Sequence, residues 1–365
     1  MPNLLFLCAL AGLSGGALLW GCQVLPRPQW QVAATLPRYD AASDSWQGLN
    51  LTWYGLLTAG AGLAAMVLSL ILLGAVGADR NAVLLVMAAL LLIGLPTAKG
   101  LAYWIEGQAH TFTVGGAACV GLLLAPWLIE GINRLLPDHV AAPLPVLATL
   151  AALTIGYVFG EGLGRLACIS YGCCYGKPVA QCGRLGQQLF NRRHFVFHGA
   201  TKKISYAGGL EGTPVVPVQA LTMAVHGLAA VAATALFLAG RFGSAFLVAA
   251  LASQGWRVFS ETLRADWRGG QSFSVYQRMS LLVMPCAVFM TWLLAGPSVL
   301  PVNVERGLGS LWHPGVLLTL QAASLGIFCF LGRSRMTGAE LSFFVTVEQG
   351  TLPKREFAHG VQGPG

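Results

Sequence analysis

The chain has 365 residues, of which 55% are hydrophobic and only 10% charged. A soluble domain carries about a quarter charged residues, so a water-facing globular protein is excluded. The formal charge of +8 would suit nucleic acid in a soluble chain, but no aromatic and basic face accompanies it, and nucleic acid is not an expected partner. Much of the excess gathers at 165–203, just after a hydrophobic run, where it suits anionic lipid headgroups.

Stretches free of Asp, Glu, Lys and Arg fall near 1–26, 51–78, 81–98, 111–129, 140–160, 213–240, 242–256, 279–304 and 307–332. Uninterrupted apolar runs of about 18 residues or more are the transmembrane signature. Lipid offers the backbone no hydrogen-bond partner, so spans must be helices or closed barrels. Barrel strands alternate apolar and polar residues, and these runs do not. The predicted fold class is all-α, a polytopic helical membrane protein with a small extramembrane cap between helices.

In chain order, 1–50 reads as a first hydrophobic helix and a polar connector. The bulky Trp20 before Cys22 argues against a cleaved leader, and Pro26 and Pro28 bar regular helix at the connector's start. The membrane core spans 51–304. The seventh run is short but extends through Arg257 to Val258 and Phe259. The core's large interruption, 161–212, is polar, basic and glycine-rich, too long for a simple loop, and is expected to form the cap. A further hydrophobic helix follows at 305–332. The polar tail, 333–365, ends in Gly and Pro and is expected to be partly disordered. Arg80 and Arg134 fit short cytoplasmic loops, which puts the cap outside. An odd count of spans then leaves Arg333 and Arg335 on the outer side, which points to one run that does not cross.

Charges at the ends of membrane runs are expensive and therefore candidate sites. Arg257, Glu261 and Arg264 stand at i, i+4 and i+7, the spacing of one helix face. Two guanidiniums around a carboxylate can clamp a phosphate. The same spacing also fits an ion-pair ladder that satisfies itself. Glu161 and Arg165 repeat the i, i+4 pattern, and here too an interfacial salt bridge is the plain alternative. The glycine-rich segment 164–178 that follows suits a backbone nest around an anion.

Of the nine cysteines, Cys168, Cys173, Cys174 and Cys182 share this segment. Their spacing matches no standard zinc pattern, so no metal is expected. Disulfide bridging, simple packing, and reactive thiols beside Arg165 and Lys177 all remain open. His226 reads as a packed helix residue. His194 and His198 lack further ligands. His110 precedes Gly115 and Gly116, which suit tight helix packing.

Taken together, these pieces resemble the prolipoprotein diacylglyceryl transferase family over about residues 46–297. Leu51-Thr52-Trp53-Tyr54-Gly55-Leu56 looks like the family's first-helix motif. Thr113-Val114-Gly115-Gly116 aligns with its His-Gly-Gly segment. The stretch from Gly164-Arg165 to Gly176-Lys177 matches its signature loop. Pro217-Val218-Gln219 is similar to its Pro-Ser-Gln. Arg257, Glu261 and Arg264 match its late helix, and Ser274 to Ser280, with Gln277, looks like the start of its last core helix.

The resemblance implies transfer of the diacylglyceryl group of phosphatidylglycerol to the thiol of a prolipoprotein's lipobox cysteine, at the outer face of a bacterial inner membrane. Glycerol phosphate leaves and a thioether forms, with no cofactor. It implies catalytic roles for Arg165, Arg257, Glu261 and Tyr54. Lipid and phosphate contacts would come from Arg165, Gly176, Lys177, Arg257, Arg264, Gly115 and Gly116. The chain departs from the pattern where the family's histidine is Val114, its asparagine Cys168 and its acidic residue Cys173. Those departures leave two other readings: a non-catalytic homologue that binds or presents anionic lipid, and a thiol redox protein using the cysteine cluster.

Overall fold

A computed structural model describes residues 1–42, 44–107, 113–136, 142–267, 273–296 and 300–333. His110 and the tail beyond Arg333 lie outside the described residues. Twelve α-helices account for most of the rest: α1 (Pro2–Val24), α2 (Trp53–Ala75), α3 (Arg80–Glu106), α4 (Val114–Leu135), α5 (Val146–Tyr171), α6 (Arg184–Phe190), α7 (Lys203–Tyr206), α8 (Val218–Leu238), α9 (Phe242–Ser260), α10 (Val275–Leu293), α11 (Val304–Ser310) and α12 (Pro314–Leu331). Leaving aside the short α6, α7 and α11, the other nine match the nine apolar runs. Seven of them, all but α9 and α10, are long and apolar enough to cross a membrane. The chain is a polytopic helical membrane protein. The last helix does not stand apart: Thr52 donates its backbone N–H to the Gly332 carbonyl (2.8 Å), which sets the end of α12 beside the start of α2.

The connector holds structure that its polarity hides. Strands β1 (Val32–Asp40) and β2 (Ser45–Thr52) pair antiparallel into a hairpin. Thr35 Oγ1 donates to Asn50 Oδ1 across it (2.7 Å). Pro37 is tolerated because a strand in a two-stranded sheet has one unpaired edge.

The centre of the bundle is the α2–α5 pair. An added Cβ on Gly156 would lie 2.0 Å from Ser69 Oγ, and one on Gly160 would lie 2.6 Å from Ala65 Cβ. Ala61, Ala65 and Ser69 on α2 thus meet Gly156 and Gly160 on α5, small residues at every fourth position on both helices. Such faces let membrane helices approach backbone to backbone, where dispersion replaces the hydrophobic drive that lipid removes. α5 is the most enclosed helix, and Ala151, Ala152, Ile155 and Val158 along it are fully buried.

α5 continues through Glu161 and Arg165 to Tyr171, so the irregular part of the cap starts at Gly172, in the left-handed conformation that ends the helix (φ 73°). The cap has its own small core, with Phe195, Phe197, Ile204 and Val215 packed against Leu25, Ile169 and Met223. One buried cation pins it. Lys202 Nζ donates to the Ser170 carbonyl (2.5 Å) and the Leu25 carbonyl (3.4 Å), tying the last turn of α5 to the end of α1. Burial lowers the Lys202 pKa to about 8. At the opposite end of α2, Arg306 donates to the carbonyls of Gly74 (3.1 Å) and Ala75 (2.7 Å).

Candidate functional site

The extension of α5 carries two charges into the bundle, and α9 brings a third to meet them. Glu161 is almost wholly buried, and its Oε1 accepts from both Arg165 Nη2 (2.5 Å) and Arg257 Nη2. Oε2 accepts from the Tyr157 hydroxyl, and His226 Nε2 lies 3.6 Å away. His226 Nδ1 faces the Thr222 carbonyl at 2.9 Å, so it is Nε2 that points at the carboxylate. One carboxylate between two guanidiniums leaves a net positive trio in a low-dielectric setting. Arg165 Nε and Arg257 Nε are buried with no hydrogen-bond partner. A buried donor without an acceptor is costly.

These residues line a polar cleft together with Gln219, Trp256, Cys174, Glu261 and Arg264. The cleft is narrow, about 20 Å³. Next to it lies an apolar cavity of about 290 Å³ between α2, α3, α4, α5 and α12, lined by Met66, Leu90, Val114, Leu122, Leu153 and Ile327 among others. Tyr157 joins the two: its ring lines the cavity and its hydroxyl reaches Glu161.

Gly115 holds its place for a physical reason. A Cβ there would come within 1.4 Å of Arg257 Nη1, so the guanidinium packs directly on the backbone at the start of α4. Gly116 packs against Leu101 and is capped through Thr113 Oγ1 (3.3 Å). Val114 points into the apolar cavity, so no imidazole stands at that wall.

The late charged trio departs from the expected helix face. α9 ends at Ser260, residues 261–263 form a 3₁₀ turn, and Arg264 is extended, in a bridge to Gly176. Ser260 and Thr262 turn their hydroxyls back onto the carbonyls of Arg257 and Phe259, competing with the helical pattern. Glu261 therefore leaves the helix face that Arg257 ends. Glu161 holds Arg257, while Arg264 grips Asp266 through Nε (2.8 Å) and Nη2 (2.6 Å) and reaches Glu261 at 3.4 Å. Local spacing pairs Glu161 only with Arg165. The link to Arg257, 96 residues away, leaves no local trace.

Gly176 packs against Val216, whose carbonyl would lie 2.3 Å from an added Cβ, and the exposed Lys177 side chain does not line the cleft. Tyr54 stacks edge-on against Tyr171 (centroids 5.6 Å apart), near Cys168, Cys173, Cys174 and Arg165. The nine cysteines are unbridged. Cys168, Cys173 and Cys174 bring their sulfurs within 4.8 Å of one another, whereas Cys182 turns to the Pro178 carbonyl.

Fold and site together define a multi-pass membrane protein with an arginine-lined polar cleft beside an apolar cavity. The chain belongs to the prolipoprotein diacylglyceryl transferase family, whose family model matches residues 44–293. That span runs from the start of β2 to the end of α10 and contains every residue of the cleft. No curated protein matches the chain in sequence.

Proposed function

We propose that this chain transfers the diacylglyceryl group of phosphatidylglycerol to the lipobox cysteine thiol of a prolipoprotein, in a bacterial inner membrane. One observation carries the reading. Arg165 and Arg257 converge on Glu161 beside the apolar cavity, each with a buried Nε–H still unpartnered. In this reading the two arginines hold the lipid phosphate, and the acyl chains lie in the cavity along α4 and α5. As the carbon–oxygen bond to phosphate breaks, negative charge grows on the departing glycerol phosphate. Fixed guanidiniums in a water-poor cleft stabilise that charge without reorganising. Gly115 lets Arg257 pack against the start of α4, and Tyr157 marks the passage from acyl chain to headgroup. Tyr54 stands beside the Cys168, Cys173 and Cys174 cluster. Arg264, neutralised by Asp266 and Glu261, shapes the cleft more than it charges it.

The test is a label-transfer assay with phosphatidylglycerol labelled in its diacylglyceryl part, a lipobox peptide and the purified protein. Labelled thioether peptide is expected. Arg165→Ala and Arg257→Ala should each abolish it, whereas Arg134→Ala, which removes an exposed i, i+4 pair with Glu130, should leave it unchanged. No product above background would overturn the proposal.

Val114 favours a second reading, in which the chain binds anionic lipid without turning it over. Headgroup-dependent binding with no thioether product, and product first appearing in Val114→His, would select it.

A further inference from the structure

Behind the arginine cleft stands a second cluster that the phosphate reading does not use. α5 ends with the Gly172 N–H on the Cys168 carbonyl (2.9 Å), and the Cys173 N–H folds back onto the same carbonyl (3.1 Å). This returns Cys173 over Cys168. Adjacent side chains ordinarily diverge, yet Cys174 points into the same cluster because its backbone is left-handed (φ 54°). A left-handed cysteine is a strained choice that the surroundings must enforce. Gln219 Nε2 holds the turn through the Cys173 carbonyl (2.9 Å). The outcome is three thiols with all sulfurs within 4.8 Å of one another. Thiols are weak hydrogen-bond donors and acceptors, so their mutual contacts do little to repay the strain.

We infer that Cys168, Cys173 and Cys174 form a three-thiolate site for a zinc ion, whose open fourth position takes the acceptor thiol. Three sulfurs about 2.3 Å from a tetrahedral ion stand about 3.8 Å apart, within the 4.8 Å that bounds the three separations here. Three thiolates and one divalent ion carry a net negative charge, which Arg165 complements from 3.9 Å, its Nη1 to Cys174 Sγ. Cys174 also lines the polar cleft, so the open position faces the phosphate site. Linear spacing conceals the site, because the left-handed turn at Cys174 is what makes neighbouring cysteines converge.

The role of the thiol rests on the transferase reading. An acceptor thiol that binds zinc gives its proton to water and becomes a thiolate. Its sulfur lone pair then forms the bond to the glyceryl carbon. The carbon–oxygen bond breaks, and its electron pair leaves with glycerol phosphate. Ion binding thereby does what a histidine at Val114 would otherwise do.

The experiment uses the full chain purified in detergent without chelator. About one zinc per chain is expected, falling at least tenfold in the Cys168→Ser/Cys174→Ser variant. Zinc below a tenth of an equivalent, zinc unchanged in that variant, copper in its place, or an intramolecular disulfide by mass spectrometry would each overturn the site. If the variant fails to fold, the wild type decides the matter: a chelator should remove its zinc reversibly and open the three cysteines to iodoacetamide, and cysteines labelled equally with and without chelator would overturn the site. Cobalt exchanged into the site reports on the fourth position. N-acetylcysteine amide should shift its visible bands, and an unmoved spectrum would overturn the thiol-holding role. Transfer activity that persists in metal-free protein defeats this inference but not the transferase. Zinc and a thiol-sensitive spectrum without transfer defeat the transferase but not the site.

Discussion

The guanidinium of Arg257 occupies the space where a side chain on Gly115 would begin, with Nη1 1.4 Å from the position of an added Cβ. Gly115→Ala must therefore push Arg257 off Glu161 without touching either charge. Displacing a positioned group by about an ångström can lower a rate by roughly 10²-fold, and a loss of that order is expected in the label-transfer assay. Gly131→Ala on the same helix meets nothing within 4 Å and should behave as wild type. Equal activity in the two variants would remove Arg257 from the proposed chemistry.

Glu161 is the joint of the buried network, accepting from Arg165, Arg257 and Tyr157. Glu161→Gln keeps the shape and leaves two buried cations with no countercharge. Removing one partner of a buried ion pair costs about 3–5 kcal/mol, which should appear as a large fall in the unfolding midpoint in detergent. An anion should recover part of it, so added phosphatidylglycerol should raise the midpoint of the variant more than that of the wild type. A variant as stable as wild type would show that water reaches the trio.

The bundle is legible in the sequence because each span must satisfy its own backbone, which forces long apolar runs. Arg165 and Arg257 are legible because a charge so placed is expensive unless it is used. What local pattern does not carry is pairing at a distance. Glu161 announces Arg165 four residues on, but its bond to Arg257 exists only once α5 and α9 pack. The end of α9 is hidden as well, since Ser260 and Thr262 favour their own backbone contacts over another helical turn. The hairpin at β1 and β2 escapes notice because its apolar residues are interspersed with polar ones and its pairing partner is itself. Small residues on α5 are the missed signal for its contact with α2: Gly156 and Gly160 repeat at the spacing that close membrane helices require.

That spacing yields a test of the bundle independent of the site. Gly160→Leu would drive a side chain into Ala65 Cβ and the Ala61 carbonyl, 2.6 and 3.0 Å from an added Cβ. Overpacking costs about 1–3 kcal/mol where neighbours can shift, and a helix backbone has little room to do so. The expected result is a broadened or aggregated elution profile in detergent and faster proteolysis. Gly164→Leu, one turn on, meets only Ala61 Cβ at 3.9 Å and should be far milder. Equal behaviour of the two would mean that α2 and α5 are not in close contact.

Lys202 gives the fold a pH dependence whose sign follows from its burial. Its pKa stands at about 8 in the folded chain, against about 10.4 for a free lysine. Below pH 8 the folded protein holds the charge at full desolvation cost, and folded and unfolded chains bind the same number of protons. Between about pH 8 and 10.4 the unfolded chain binds more, so stability rises with pH across that window. The relief amounts to roughly 3 kcal/mol at most. Unfolding midpoints measured from pH 7 to 10 should therefore climb more steeply for the wild type than for Lys202→Met. The difference between the two curves cancels every other group that titrates. The variant also loses the bonds to the Ser170 and Leu25 carbonyls, which shifts its curve by a pH-independent amount. Parallel curves would mean that Lys202 keeps its ordinary pKa and that water follows it into the cap.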